Sequence, residues 1–226
     1  MNKIPVAVLI SGNGSNLQAL LDAAAAEDYP AEIALVISNH EQAFGLTRAE
    51  NAGVPTVIIP HGHYPDRESF DRMIDAALRT HQIELVVMAG FMRILSDWFV
   101  VQWQGRLMNI HPSLLPKYKG LNTHQRALDA GDCEHGATVH WVTPELDSGE
   151  IILQESLTVL PDDTAESLKQ RVHALEHQLY PAALRGVAER WAHNHQRYEA
   201  GTRRVLGRWA YALMRWWYAI IDSKRA

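Results

Sequence analysis

Three short runs of the chain carry residue types that can do chemistry. The run Ser11-Gly12-Asn13-Gly14-Ser15-Asn16 packs two glycines and four small polar residues into six positions. Glycines allow backbone angles that turn successive N–H groups toward one point, and the positive end of a following helix adds to that attraction for an anion. The run has neither the third glycine of a dinucleotide fingerprint nor the lysine of a Walker loop. The same residues also suit a plain strand-to-helix turn, with Ser15 or Asn16 as the helix N-cap.

The second run is Asn109-Ile110-His111-Pro112-Ser113. Strand alternation places Asn109 and His111 on one side, and Pro112 stops the strand just as His111 emerges. An amide can donate to a developing oxyanion; an imidazole can donate a hydrogen bond or a proton as charge forms. A strand end whose histidine only satisfies nearby carbonyls would read the same way. The third candidate is Asp147, in Thr143-Pro-Glu-Leu-Asp-Ser-Gly. A carboxylate on that loop can sit beside His111, favour its charged form and raise its pKa; a solvated turn aspartate is the alternative. His124, His135 and His140 are scattered rather than spaced as metal ligands, so no metal site is expected. No Gly-x-Ser-x-Gly elbow offers a serine nucleophile.

These runs need a scaffold, and the hydropathy pattern supplies one. Apolar runs at Val6–Ser11, Ile33–Ser38, Thr56–Ile59, Leu85–Ala89 and Leu107–Ile110 alternate with helical stretches near 16–26, 43–52, 67–81 and 95–104. Short strands apolar on both faces belong to a sheet covered on both sides. The pattern predicts an α/β fold with a doubly wound, mostly parallel, Rossmann-like sheet, and ligands beyond the carboxyl ends of its strands. Past the Pro/Gly-rich loop His111–Asn122 come a short helix near 123–130 and strands at Ala137–Val142 and Ile151–Val159. A long helix follows from about Thr164 to Trp191, with Pro181 expected to break or kink it.

With 226 residues and 25.4 kDa, the chain fits one domain or one domain with an appendage. The division expected is residues 1–195 and a C-terminal helical extension, 196–226. A net charge of −5 argues against general nucleic-acid binding. A single cysteine, Cys133, favours a reducing compartment, and the absence of a long apolar run or a leader signature points to the cytoplasm.

Taken together, Ser11-Gly-Asn-Gly-Ser-Asn-Leu-Gln-Ala, Ala89-Gly-Phe-Met-Arg-Ile-Leu and Asn109-Ile-His-Pro-Ser-Leu-Leu-Pro-Lys-Tyr-Lys-Gly resemble the folate-dependent phosphoribosylglycinamide formyltransferases, from residue 4 to about 190. The resemblance implies the formyltransferase variant of the Rossmann-like fold and 10-formyltetrahydrofolate as co-substrate. It also implies a phosphoribosylglycinamide amine as acceptor, with direct transfer through a tetrahedral intermediate. By position, Asn109, His111 and Asp147 match the family's catalytic residues. Gly14, Ser15 and Asn16, with His173, Ala174, Leu175 and Glu176, match its glycinamide ribonucleotide site. Arg67, Met92, Arg93, Ile94, Leu95, Thr143, Pro144, Glu145 and Leu146 match the folate site, with Asn109 and Asp147 shared. Lys119 and Asn122 stand where relatives carry Pro and His, and Ser148-Gly149-Glu150 where Gly-Gly-Pro is more common.

Three other readings share parts of this pattern. A formyltetrahydrofolate deformylase would use the same Asn/His/Asp set behind an added N-terminal domain, which a chain starting at its first strand is expected to lack. A methionyl-tRNA formyltransferase would need an RNA-binding domain and a basic surface. A non-catalytic nucleotide-binding module would keep Gly12–Asn16 without needing the triad. The tail from about 195 lies outside the resemblance. Its Val205–Ile221 segment carries Trp209, Trp216, Trp217 and Tyr218, with Arg204, Arg208 and Arg215 along one helical face. It reads as a helix packed on its own domain or on a second copy in a homodimer, with membrane attachment or an unordered tail as alternatives.

Overall fold

The computed structural model describes the backbone of residues 3–222 and the side chains of residues 3–193. Seven strands, β1 (Ile4–Ile10), β2 (Ala31–Ser38), β3 (Thr56–Ile58), β4 (Leu85–Met88), β5 (Leu107–His111), β6 (Glu134–Trp141) and β7 (Ile151–Thr158), form one sheet in the order β3-β2-β1-β4-β5-β6-β7. Helices α1 (Ser15–Ala24), α2 (Phe44–Asn51), α3 (Arg67–Thr80), α4 (Asp97–Gln102), α5 (Thr123–Asp129) and α6 (Ala165–Asp222) connect or follow them. β3 through β5 run parallel, whereas β6 and β7 pair antiparallel. The doubly wound, mostly parallel sheet expected from the alternation is the fold found.

The central strands are apolar on both faces because both faces are covered. Ala7, Leu9, Val86 and Met88 pack against Phe70, Ile74 and Leu78 of α3 and Phe99 and Trp103 at α4. Their alternates Val6, Val8, Ile10, Leu85 and Val87 are fully buried as well, so a second layer closes the opposite side. Each buried Leu, Ile or Phe contributes roughly 1.5–3 kcal/mol. Side-chain caps mark the starts of α3 and α4. Asp66 accepts from the Ser69 N–H at 2.7 Å, and Ser96 from the Phe99 N–H at 3.4 Å.

Sheet order fixes where a ligand can lie. β1 has β2 on one side and β4 on the other, so the connections leave it in opposite directions and open a crevice at its carboxyl end. The 11–16 run leaves β1 there, the 89–95 run leaves β4, and Asn109 and His111 end β5. Leu9 pairs with Met88 and Met88 with Asn109, which puts β1 and β5 about 10 Å apart at that edge.

Two expectations need correction. The long helix does not break at Pro181, nor end at Trp191; it starts behind Thr164, whose Oγ1 accepts from the Ser167 N–H at 3.1 Å, and continues to Asp222. An internal proline costs about 3 kcal/mol. Leu179, Tyr180, Ala183 and Leu184 are buried around it, and Tyr29 Oη donates to the Pro181 carbonyl at 2.7 Å, so packing offsets the lost backbone bond. By compactness the chain divides into residues 1–186 and 187–226, the second unit containing the described C-terminal stretch of that helix, up to Asp222. The tail's Arg204, Arg208, Arg215, Trp209, Trp216, Trp217 and Tyr218 side chains lie outside the described residues. Among the described residues no helix is long and apolar enough to cross a membrane.

Candidate active site

At the end of β5 the structure brings Asn109, His111 and Asp147 together, with a fourth group the sequence did not single out for this cluster. His111 Nδ1 lies 3.4 Å from Asp147 Oδ2, and both side chains are more than 90% buried. His111 Nε2 donates to the Tyr118 carbonyl at 2.9 Å, so both ring nitrogens face oxygen acceptors. The fourth group is His140, opposite Asn109 across the β5–β6 ladder. Its Nδ1 donates to the Trp141 carbonyl at 2.9 Å, which leaves Nε2 to accept from Asn109 Nδ2 at 3.4 Å. Burial holds His140 below the usual histidine pKa, against the opposing pull of its Trp141 bond and of Asp147, so it is a neutral acceptor at pH 7. It therefore orients the Asn109 amide and leaves that amide's second N–H for a ligand.

Asp147 reaches this place through loop geometry. It sits at φ 47°, and its Oδ2 accepts from the Gly120 N–H at 2.9 Å. Two residues on, an ideal Cβ at Gly149 would lie 1.7 Å from the Trp141 carbonyl oxygen, so only glycine lets the loop press onto β6. Across the site the 112–122 segment is clamped. Tyr118 Oη and Lys117 Nζ both bond Asp132 Oδ2, at 2.7 and 2.9 Å, and Lys119 Nζ bonds Ser148 Oγ.

The Gly12–Asn16 turn follows β1, two strands from β5 at the same sheet edge. Gly14 has φ 72°, and a Cβ there would come within 2.8 Å of Gly45 Cα, so glycine is required both for angle and for space. Asn16 Nδ2 donates to Glu176 Oε2 of α6 at 2.9 Å, while Asn16 Oδ1 is buried with no partner among the described residues. A ligand hydroxyl or amine would satisfy it. Burial raises the Glu176 pKa to about 7, against the opposing Asn16 bond. One turn further along α6, the Tyr180 hydroxyl reaches the Met88 and Met108 carbonyls at 3.0 and 3.2 Å, tying the helix to β4 and β5. His173 and Leu175 are partly buried on the same helix, and Ala174 is exposed.

The remaining positions spread more widely. Met92, Ile94 and Leu146 are exposed apolar side chains, as a hydrophobic ring would require, and the Met92 N–H donates to Ser11 Oγ at 2.8 Å. Leu95 is instead part of the core, and Arg93 is exposed. Thr143 Oγ1 donates to the Glu145 carbonyl at 3.1 Å; Pro144 and Glu145 are exposed. Arg67 lines a separate concavity of about 790 Å³ with Arg72, Ser96 and Trp98, away from the His111 cluster. Among the described residues no group of three or more His, Cys, Asp or Glu could hold a metal ion.

With the geometry in place, comparison with known proteins is informative. The family model described as formyl transferase matches residues 4–184. The phosphoribosylglycinamide formyltransferase of Escherichia coli is 47% identical over 184 residues, 81% of this chain and 87% of that protein. The trifunctional purine biosynthetic protein adenosine-3 of Drosophila pseudoobscura is 52% identical over 79% of this chain, which spans 13% of that much longer protein. Among solved structures, the Coxiella burnetii phosphoribosylglycinamide formyltransferase superposes with a TM-score of 0.80 at 51% identity, covering 83% of this chain and 88% of the other.

Proposed function

Because the chain belongs to the formyl transferase family, we propose that it moves the formyl group of 10-formyltetrahydrofolate onto the amine of 5-phosphoribosylglycinamide, a step of purine synthesis. The observation that carries this reading is the buried His111–Asp147 pair, with an oriented Asn109 beside it, at the same sheet edge as the Gly12–Asn16 turn.

The chemistry asks for little more. The amine nitrogen bonds to the formyl carbon, and the carbonyl electron pair moves onto oxygen. The free N–H of Asn109 and an N–H of His111 stabilise that oxyanion, and Asp147 stabilises positive charge on the ring. His111 Nε2 is bonded to the Tyr118 carbonyl, so the 112–122 segment yields this N–H as substrate arrives. The bond from carbon to the folate nitrogen then breaks while the amine proton passes to that nitrogen, through a water. No covalent enzyme intermediate forms. The exposed Met92, Ile94 and Leu146 suit a pteridine ring, and the Gly14–Asn16 turn with Glu176 suits the ribose phosphate.

The test supplies 10-formyltetrahydrofolate with and without 5-phosphoribosylglycinamide and follows release of free folate. Release that depends on the amine is the expected result. Release without it would make the chain a hydrolase, and no release in either case would make it a binding module.

A further inference from the structure

The Gly12–Asn16 turn is held from outside by a side chain that no motif marks. Arg48, in the last turn of α2, donates from Nε to the Asn13 carbonyl at 2.9 Å and from Nη2 to Asn13 Oδ1 at 3.0 Å. Its Nη1 donates to Gln18 Oε1 at 3.1 Å, and its guanidinium lies 4.9 Å above the centre of the Phe44 ring. A few residues earlier in α2, the Gly45 N–H donates to the Gly12 carbonyl at 3.0 Å.

Peptide planarity turns these contacts into a statement about the turn's donors. In a trans peptide the C=O of one residue and the N–H of the next point in opposite directions. Fixing the Gly12 carbonyl on Gly45 therefore aims the Asn13 N–H away from α2, and fixing the Asn13 carbonyl on Arg48 aims the Gly14 N–H away likewise. Among the described residues neither N–H has an acceptor. Arg48 also keeps its charge. Its bonds end on neutral oxygens, and among the described residues it forms no ion pair.

We infer that Arg48 is a positioning residue for a phosphate monoester: it locks the Asn13 and Gly14 N–H groups toward the dianion and leaves its own charge at the rim. That rim is a concavity of about 440 Å³ lined by Ser15, Gln18, Ala19, Asp22, Arg48 and His177. His177 Nε2 is buried there with no partner among the described residues; burial first, then the Arg48 charge, holds that imidazole below its usual pKa, so it adds no competing cation at pH 7. The inference rests on the reading above that this turn takes the substrate phosphate.

The experiment compares wild type, Arg48→Gln and Arg48→Lys. Binding of 5-phosphoribosylglycinamide and of its dephosphorylated riboside is measured by calorimetry without folate, and steady-state kinetics with both co-substrates. Arg48→Gln should weaken binding of the phosphorylated ligand and raise its KM about ten- to a hundredfold. The KM for 10-formyltetrahydrofolate and kcat should stay within about twofold. Arg48→Lys should recover part of the loss, since it keeps the charge but not the fork. The riboside should bind all three proteins alike. Equal losses for riboside and phosphate ester, an equal rise in both KM values, or an unchanged phosphate-ester affinity in Arg48→Gln would each overturn the inference. If wild type binds the phosphate ester but transfers no formyl group, the proposed reaction fails, and the binding series still decides the role of Arg48.

Discussion

The two halves of the sheet solve different problems. The parallel half, β3 to β4, has strands whose interiors are almost wholly apolar, and under the proposed function it would meet ligands with main-chain groups: the turn after β1 and the segment after β4. The antiparallel half buries polar side chains instead, His111, Ser113, His135, Thr138 and His140 among them, and around Thr138 it builds a small mesh. Thr138 Oγ1 donates to the Ser113 carbonyl at 2.6 Å and accepts from the Leu115 N–H and from Gln154 Nε2, at 3.1 and 2.7 Å. Under the proposed function, binding falls to backbone shape and chemistry to buried polar side chains. Damage to the first half should appear as lost affinity, and damage to the second as lost rate.

The largest effect that sharpens this contrast comes from the second half. His111→Ala should lower kcat by about 10²–10³ or more, with the affinity for 5-phosphoribosylglycinamide nearly unchanged, by kinetics and calorimetry together. In the first half, Gly14→Ala must place a side chain at φ 72° and against Gly45. It should destabilise the fold by about 1–3 kcal/mol in denaturant melts and weaken the phosphorylated substrate tenfold or more, while kcat at saturation falls far less. An equal kcat loss in both variants would erase the division.

Glu176 supplies a pH test. Its folded pKa, about 7, exceeds the ordinary 4.5, so the folded state binds more protons between those values. Stability from this group is complete below about pH 4.5 and is lost as pH rises toward 7, on the order of 3 kcal/mol at most. Glu176→Gln should therefore gain Tm relative to wild type at pH 8 and match it near pH 5. His124 acts with the opposite sign. Burial, helped by neighbouring His135 and His173, lowers its pKa from 6.5 to about 4, so stability falls as pH drops through that window. The smallest expected effect on function is that of Thr138→Val, which strands the Leu115 N–H and should cost about 1–3 kcal/mol in a urea melt. Its kcat loss should stay below that of His111→Ala, and a greater loss would make the mesh itself part of the chemistry.

Sequence made the parallel half largely legible, because strands buried on both faces leave plain apolar runs. It also exposed Asn109, His111 and Asp147 as candidates, since a proline stop and a loop carboxylate are local signals. What it could not reveal depends on contacts between distant segments. His140 reads as one histidine among twelve until the β5–β6 register sets it opposite Asn109. Arg48 and Gly45 look like ordinary helix residues until α2 meets the turn. Pro181 misleads for the same reason: local rules favour a break, and burial of Tyr180 and Leu184 overrides them.

The most direct check is the single-turnover rate of formyl transfer in Asp147→Asn, with substrate binding measured on the same preparation. The amide keeps the shape of the side chain and removes the charge facing His111 Nδ1. The chemical step should slow by about 10² or more at unchanged affinity for 5-phosphoribosylglycinamide. A variant that transfers formyl groups at the wild-type rate would contradict the role given to this pair.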